Sequence, residues 1–379
     1  MLDPLFGCIV GNNLKLDVNV VSFNVGSLGD WQNLAAIYEL QNEDPILNAY
    51  TPKTKQEIDN FKLRISAKTR EIKDTFEQTH AQLVSVKLQH LIDQFQPAVF
   101  CLQEFQVEKS HQAITDILTR NGYVIAGEKD NCIAYKSEDY KKVNKGRQTF
   151  DSLKSPMKGK SSPGRYVDLI HKQSKTIIRV VSHHVQGFNA VKKKKHTEEK
   201  RKSLKEKTFL PLNAKERLAR FISFFNSEHE DSAARGDAGL EHSLANIEKK
   251  SCKPYQLKSF INLKNPKPDL IIYGLDANAT AKYVSEAKMD RLHPKRMQLF
   301  DLRNYQYDQQ DKTPTILDWN DLHPRKYDYV CVKTHRAAAV AIESVCIPGL
   351  NNRELLYHPD QLMSDHLPVF AKISFVTTT

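Results

Sequence analysis

The chain alternates between short apolar runs that predict buried strands and longer segments with apolar residues at helical spacing. The first run, Asp17 to Phe23, is rich in β-branched residues and is followed by Asn24 and a glycine-containing loop. Trp31 to Asn48 is predicted to be helical. From Thr54 to Phe95 apolar residues recur at intervals of three, four, seven or eight, which keeps one face of a helix apolar. We therefore predict one long helix there, or two helices in line.

The rest of the chain predicts further strands and helices in alternation. Pro97 ends the long helix, and Ala98 to Leu102 is predicted as a strand that presents Glu104 at its end. Because neighbouring strands recur in pairs between the helices, the pattern favours a layered α/β sandwich over a purely parallel sheet. The other predicted strands are Tyr123 to Ile125, Asn131 to Tyr135, Ile177 to Ser182, Asp269 to Tyr273, Lys326 to Val332 and Val369 to Phe375, and the other predicted helices are Ser110 to Asn121 and Asn213 to Asn226.

Length and composition leave the number of domains open. A chain of 379 residues is long enough for two or three domains, and equally for one large α/β domain with insertions. The 40% of hydrophobic residues, with 9% aromatic, supply a core and exclude a disordered chain. Six scattered cysteines with no Cys-x-x-Cys pair argue against a disulfide framework or a structural zinc site.

No targeting or membrane segment is predicted. The first 25 residues lack the basic and apolar regions of a secretory signal peptide, and no run of about 18 apolar residues predicts a membrane span. We therefore expect a cytoplasmic-type, reducing environment. Secretion by a non-classical route would leave no mark of this kind and stays open.

Positive charge is concentrated in one part of the chain. The formal net charge is +11, and residues 136–207 hold 21 Lys and Arg against 7 Asp and Glu, a local net charge of +14. Within this basic segment, 140–165 and 191–207 predict solvated loop insertions, and residues 227–268 predict a further, polar insertion. A charge run of this kind is either an ordinary solvated loop or a contact for a polyanion, and both interpretations stay open.

Polar residues follow several of the predicted strands at their ends. If those ends converge, they form an oxygen-rich pocket with imidazoles beside it, and such donors suit Mg²⁺ or Mn²⁺ better than zinc. A divalent cation there would polarise a phosphoryl oxygen while a carboxylate or imidazole prepares a water for in-line attack, which is the chemistry of phosphoester hydrolysis. Taken singly, the asparagines and aspartates are also ordinary turn formers, so only the combination indicates a site. The residues are Asn24, Glu104, His184, Asp276, Asn278, Asp365 and His366.

Six motifs carry a resemblance to a known superfamily. They are SFNVG (22–26), CLQE (101–104), SHHV (182–185), GLDANAT (274–280), YDYVCV (327–332) and SDHLPV (364–369). In kind and in order they resemble the endonuclease/exonuclease/phosphatase superfamily, which has the deoxyribonuclease I-like fold. The resemblance covers nearly the whole chain. It implies one domain over residues 1–379, a four-layer α/β/β/α sandwich of two mixed sheets flanked by helices, with a long helical insertion at about 30–95 besides the three insertions named above.

The resemblance also implies roles for the matching acidic and amide residues. Glu104 would be the principal ligand of Mg²⁺, or of Mn²⁺, and Asn24 and Asp365 would support the metal site. Asp276 would orient or deprotonate the attacking water, and Asn278 would hold a phosphate oxygen. The superfamily's usual Gly-Asp-Phe/Leu-Asn element reads Leu-Asp-Ala-Asn in this chain, which keeps both polar residues and lacks the glycine.

The matching histidines would act on the phosphate. His366 would contact the scissile phosphate and share in proton transfer, with Asp328 fixing its tautomer. His184 matches the histidine of the superfamily's Thr/Ser-His-Leu element and would stabilise the phosphate charge. Its neighbour His183 is the alternative match, because the sequence has two histidines at this point.

The substrate is less sharply indicated than the chemistry. The flanking signatures of inositol polyphosphate 5-phosphatases, abasic-site nucleases and tyrosyl-DNA phosphodiesterases are not found in this sequence. The metal constellation and the basic segment together favour an Mg²⁺-dependent phosphodiesterase, a nuclease, acting on nucleic acid. Two alternatives stay open. One is a phosphoinositide phosphatase or sphingomyelinase-like enzyme whose basic loops bind an anionic membrane surface, and the other is a non-catalytic binding module on the same fold.

Overall fold

The structure is a computed structural model that describes two sheets and the helices packed on them. The described residues are 13–26, 28–43, 55–105, 111–128, 130–143, 164–185, 240–248 without 242 and 246, 267–277, 297–308, 314–318, 323–335, 340–346 and 363–378. The predicted helix from Asn213 to Asn226, the predicted insertion at 191–207 and the candidate residue Asn278 lie outside them.

The elements follow the predicted alternation of strands and helices. Helical residues that carry no label here also lie at 240–248 and 297–302. In chain order the elements are β1 (Asn13–Asn24), α1 (Leu28–Glu43), α2 (Lys55–Phe95), β2 (Val99–Phe105), α3 (Gln112–Arg120), β3 (Tyr123–Glu128), β4 (Asp130–Lys136), β5 (Tyr140–Lys142), β6 (Arg165–His171), β7 (Ile177–His184), β8 (Leu270–Asp276), β9 (Ile316–Asp318), β10 (His323–Arg325), β11 (Asp328–Thr334), β12 (Val340–Cys346) and β13 (Val369–Thr378).

Two mixed sheets form the centre of the fold. The first sheet has the strand order β12-β13-β1-β2-β4-β3, and the second has the order β11-β8-β7-β6-β5. Each contains one parallel pair, β1 with β2 and β7 with β8, between antiparallel neighbours. Strands β9 and β10 form a separate antiparallel pair. The prediction of a layered sandwich of two mixed sheets is therefore confirmed.

Apolar side chains divide the fold into four layers. Between the sheets, Val20 and Val99 of the first sheet belong to the same cluster as Ile178 and Ile272 of the second. The outer face of the first sheet is covered by α2 and α3, and the outer face of the second by the helical residues 240–248 and 297–302. Each helix buries its apolar stripe on a sheet, as an amphipathic helix in such a layer must. The order of layers is α/β/β/α, as predicted.

The segment from Thr54 to Phe95, predicted as one long helix or two in line, contains one continuous helix, α2, which packs on the rest of the chain. Helix α2 is 41 residues long and ends one residue before Gln96, which adopts a positive φ of 43° ahead of Pro97. Its N-terminal half packs on α1 through Ile65 and Ile72, while Leu88 and Leu91 near its C-terminus are buried against the first sheet. Of the helices in the described ranges, none combines the length and the apolar character that crossing a membrane requires.

Two of the predicted insertions include parts of the sandwich. Residues Tyr140–Lys142 and Arg165 belong to the second sheet, so the insertion predicted at 140–165 is shorter than its predicted bounds. Strand β5 was not predicted, because it is only three residues long and contains two lysines, a composition typical of sheet edges. In the polar insertion predicted at 227–268, Leu240 and Leu244 lie on a helical stretch that is buried against the second sheet. Strands β6, β9, β10 and β12 were also not predicted.

Candidate active site

The candidate site lies at the edge of the sandwich where the inward-facing residues of several strands change from apolar to polar. Along β7 the inward positions are Ile178, Val180, Ser182 and His184, because successive side chains of a strand alternate between the two faces. The same alternation brings Asn24 of β1 and Asp276 of β8 inward, at the carboxyl ends of their strands. Asp328 begins the antiparallel strand β11 directly opposite Asp276. The residues at the ends of these strands therefore converge on one edge.

Glu104 reaches this edge because of a β-bulge. In β2, Gln103 pairs with Asn131 and Phe105 pairs with Asp130, so Glu104 has no partner residue in the ladder. Its backbone has a positive φ of 54°, which is uncommon for a residue other than glycine. In a regular strand Glu104 would share the outer, helix-covered face with Leu102. The bulge instead places Phe105 on that face and turns the Glu104 carboxylate toward the other site residues.

The two adjacent histidines of β7 serve opposite faces of the second sheet. His184 places Nε2 3.5 Å from Glu104 Oε1 and 3.6 Å from Asp276 Oδ2. His183 lies on the other face, where its Nδ1 is hydrogen-bonded to the hydroxyl of Tyr273 among buried aromatic residues. Successive side chains of a strand point to opposite faces, so the two histidines lie on different sides of the sheet, and His184 is the one on the side of the site.

Asn24 links the carboxylates at the centre of the site. Its Nδ2 donates to Asp276 Oδ2 at 2.8 Å and to Glu104 Oε1 at 3.3 Å, and it lies 3.4 Å from His366 Nε2. The amide oxygen accepts the backbone N–H of Gly26 at 2.9 Å, which fixes the orientation of the amide. Asn24 therefore presents donors to the carboxylates, and its oxygen is used by the loop that follows β1.

Asp328 and His366 form a buried pair beside this centre. Asp328 Oδ2 lies 2.8 Å from His366 Nδ1, and both side chains are almost fully buried. Thr315 supports the pair, because its hydroxyl accepts the backbone N–H of Asp328 at 3.2 Å and its carbonyl accepts the N–H of Leu367 at 2.6 Å. An acid on one ring nitrogen fixes the tautomer and leaves the other nitrogen facing the site.

Asp365 lies behind Asn24, on the loop side of the site. Its Oδ1 accepts the hydroxyl of Ser364 at 3.0 Å, and that hydroxyl is also 2.8 Å from the carbonyl of Asn24. Gly26 approaches so closely that a Cβ at that position would be 2.4 Å from Asp365 Oδ1. Asp365 is thus packed against the loop that follows β1, at a position where its charge still acts on His366.

Electrostatic interactions give the carboxylates of the site different proton affinities. Burial, followed by repulsion from Asp328, raises the pKa of Asp276 above its usual value, against the opposing effect of the two histidines. Burial acts to raise the pKa of Glu104 as well. There, however, interactions with His184 and His366 and the hydrogen bond from Asn24 outweigh burial, and the pKa is lowered.

The charges around His366 favour its protonated form. Burial acts to lower its pKa, but the charge and hydrogen bond of Asp328, with the charges of Asp365 and Asp276, raise the pKa well above its usual value. The ring of His366 therefore brings a positive charge to a site that is otherwise rich in carboxylates.

Two groups of ligand-type side chains could hold a cation, judged on the described residues. Glu104, His184 and Asp276 form one, and Asp276, Asp328 and His366 form the other; within each, the ligand atoms lie within 4.8 Å of one another. The first group is the better candidate, because the second contains the hydrogen-bonded pair of Asp328 and protonated His366. Its carboxylate oxygens are donors that suit Mg²⁺ or Mn²⁺. Asp365, which the sequence placed at the metal, belongs to neither group.

Several residues of the site were not predicted from the sequence. Asn131 is fully buried, and its Oδ1 accepts the backbone N–H of His184 at 2.8 Å. Gln103 donates to Ser22 and Ser182 in a polar layer between the sheets. The signal for such residues is a polar side chain at an inward-facing position of an apolar strand, and Asn131 at the start of its apolar strand fits that description.

The structure is similar to several solved structures. It matches the human Nocturnin catalytic domain with bound sulfate at 13% identity, covering 96% of this chain and 97% of that one, with a TM-score of 0.43. It matches D. rerio TDP2 complexed with single strand DNA product at 10% identity, 94% and 98% coverage and a TM-score of 0.44. It also matches an endonuclease/exonuclease/phosphatase from Bacteroides vulgatus at 11% identity, 95% and 99% coverage and a TM-score of 0.43.

These matches concern the fold and not the function. No protein-family model and no curated protein matches the sequence. The superfamily that the six motifs resemble does recur by name among the matched structures. With identities of 13% or less and TM-scores below 0.5, however, the matches do not indicate what this chain binds or hydrolyses.

Proposed function

We propose that this chain is a divalent-metal-dependent phosphoester hydrolase and that its substrate is a phosphodiester of nucleic acid. One observation carries the proposal. Glu104, His184 and Asp276 converge with their ligand atoms within 4.8 Å of one another, and the buried pair of Asp328 and His366 lies directly beside them. Metal-assisted hydrolysis needs a cation site and a proton-transfer group in the same pocket, and the side chains at this edge of the sandwich would supply both.

The charges of the described residues fit a divalent cation. Glu104, Asp276, Asp328 and Asp365 contribute four carboxylates to the site, whereas His184 and His366 can contribute at most two positive charges. This excess of negative charge also contributes to the raised pKa of the fully buried Asp276, because burial and a neighbouring carboxylate both disfavour its ionised form. Glu104 would be the principal ligand of Mg²⁺ or Mn²⁺, with His184 and Asp276 beside it. When bound, the cation would polarise a phosphoryl oxygen and stabilise the leaving oxygen.

The chain's own residues would do the proton transfer and bind the charge. Asp276 would accept a proton from the attacking water, and the amide of Asn24 would hold its Oδ2 in place. Protonated His366 would stabilise charge on the phosphate, with Asp328 holding the ring. Asn278, which lies outside the described residues, keeps its proposed role of binding a phosphate oxygen.

The sequence around His184 supports nucleic acid as the substrate. The lysines and arginines of the basic segment 191–207 begin at Lys192, eight residues after His184, and the whole segment 136–207 has a net charge of +14. Basic segments that flank an active site bind along a phosphate backbone and release its counterions, so binding should weaken steeply with salt.

Hydrolysis by the purified protein on a panel of substrates tests this proposal. Wild type and Asp276→Ala should be incubated with Mg²⁺ or Mn²⁺ and single-stranded RNA, single-stranded DNA, double-stranded DNA or a set of phosphoinositides. Asp116→Asn, on an exposed position of α3, is the control for an aspartate outside the site. We expect metal-dependent cleavage of at least one nucleic acid by wild type and the control, lost in Asp276→Ala and falling steeply between about 50 and 200 mM salt.

The other outcomes separate the alternatives. Release of phosphate from phosphoinositides with nucleic acids intact would refute the nucleic-acid substrate, keep the hydrolase, and reassign the basic segment to an anionic membrane surface. Hydrolysis of no substrate, by a protein that binds Mn²⁺, would favour a binding module on this fold.

A further inference from the structure

Asn131 connects the two sheets at the candidate active site. It is the first buried residue of β4, in the first sheet, and its side chain is completely inaccessible to solvent. Its Oδ1 accepts the backbone N–H of His184, the last residue of β7 in the second sheet, at 2.8 Å. A buried amide side chain is unfavourable unless its polar atoms are bonded, so its presence at this position calls for a specific partner. The partner is the backbone of a residue of the site.

Asn131 is also adjacent to the bulge that orients Glu104. Its backbone pairs with Gln103, and the next pair in the ladder joins Asp130 to Phe105, so the unpaired Glu104 lies between these two pairs. One residue therefore fixes the end of β7 through its side chain and flanks the bulge of β2 through its backbone. The two positions that it connects present Glu104 Oε1 and His184 Nε2 to each other at 3.5 Å.

This position matters because the site is open at this point. The side chains of His184 and Glu104 are 18% and 27% exposed, whereas those of Asp276 and Asp328 are inaccessible. His184 is thus less restrained by packing than the aspartates are. A hydrogen bond from its backbone N–H to a fully buried side chain is a means of holding His184 in place, since groups around an active site must stay within about 0.5 Å of their working positions.

We propose that Asn131 is a positioning residue of the active site, which holds His184 at its working distance from Glu104 and Asp276. This inference rests on the proposed hydrolase function. Asn131 would not touch the substrate or a metal, and it would act through the position of His184 alone.

A double-mutant cycle separates positioning from general stabilisation. Asn131→Ala should lower kcat by about 100-fold with little change in KM, since a displacement of about 1 Å in an active site has an effect of that size. In a His184→Ala background the same change should lower kcat by less than about threefold, because its target is already gone. Asn131→Asp keeps the accepting oxygen and should recover part of the activity. Asn19→Ala is the matched control, because Asn19 also lies in the first sheet and donates to the carbonyl of Phe95 at 3.0 Å.

A spectroscopic measurement keeps the test independent of turnover. With ¹⁵N-histidine labelling, the amide resonance of His184 can be assigned by its disappearance in His184→Ala. It should shift upfield in Asn131→Ala, stay near its position in Asn131→Asp and not move in the Asn19 control. Equal losses of kcat from Asn131→Ala in the two backgrounds, or an unchanged His184 resonance, would overturn the inference. If wild type hydrolyses no substrate, the proposed function fails, and the resonance still decides whether Asn131 holds His184.

Discussion

Replacing Gly26 by alanine should damage the active site more than its effect on stability explains. Gly26 follows β1 with a positive φ of 67°, and its N–H donates to Asn24 Oδ1 at 2.9 Å. A Cβ at this position would lie 2.4 Å from Asp365 Oδ1 and 2.9 Å from Ser364 Oγ. The substitution therefore adds a strained backbone and a collision with the loop that carries Asp365 and His366.

The two effects have different sizes and different consequences. A left-handed backbone costs a residue other than glycine about 1–2 kcal/mol, which lowers the free energy of unfolding. Relief of the collision requires the Asp365 carboxylate to withdraw by about 1 Å, to reach an ordinary contact distance of about 3.5 Å. Because Asp365 is directly followed by His366, we expect a shift of that size to lower kcat by about 100-fold.

Gly122→Ala is the matched control, since it carries the backbone cost without the collision. Gly122 has a φ of 79°, and nothing lies within 4 Å of the position of its Cβ. Urea unfolding and steady-state hydrolysis should be measured for both variants. We expect Gly122→Ala to lose about 1–2 kcal/mol and keep the wild-type kcat. If Gly122→Ala loses as much kcat as Gly26→Ala, or if neither loses any, the close contact between Gly26 and Asp365 does not set the geometry of the site.

Two further changes test the charges of the site. Asp328→Asn should lower the free energy of unfolding by up to about 3–5 kcal/mol, and most of all below about pH 6.5. The pKa of His366 is raised in the folded state, so the pair with Asp328 is fully stabilising below the unfolded-state pKa and loses its effect as the pH rises through the folded-state value. Urea unfolding of both proteins across pH measures this, and a difference that grows with pH would contradict it. Glu104→Gln should weaken Mn²⁺ binding by at least about tenfold in isothermal titration calorimetry, whereas Glu138→Gln, 71% exposed, should not; equal affinities would exclude Glu104 as a ligand.

The pattern of the sequence predicts a layered sandwich and the meeting of several polar residues at strand ends, because both depend on periodicity. The four-layer order and the roles of the site residues were implied by the resemblance of the six motifs. Apolar strands that end in polar residues were visible as patterns, and the alternation of faces explains why Asn24, His184 and Asp276 meet. The position of Glu104 could not be derived in this way. Glu104 lies in a bulge, where the alternation of side chains between the two faces of the strand is interrupted. The face on which such a residue lies cannot be predicted from that alternation.

The residues that were missed are those whose partners are distant in the chain. Thr315 and Asn131 are single polar residues with no motif around them, and each acquires its role from a backbone group brought near by folding. Strand β5 and the helical residues 240–248 were missed for another reason. They lie in polar or basic surroundings, and only a few buried side chains mark them as part of the sandwich.

The arrangement of charges connects the fold to the proposed chemistry. Each strand that reaches the site has a polar or charged side chain at its site end. A carboxylate at such a position would destabilise the protein if it lay between the sheets, because a buried carboxylate without a counter-charge is unfavourable. At the edge of the sandwich these groups share hydrogen bonds through Asn24 and the imidazoles, yet Asp276 still has a raised pKa. Packing alone gives no reason to gather four carboxylates there. A cation and a phosphate bound between them would give one, since the cation would supply the missing positive charge and a protonated His366 the attraction for the phosphate.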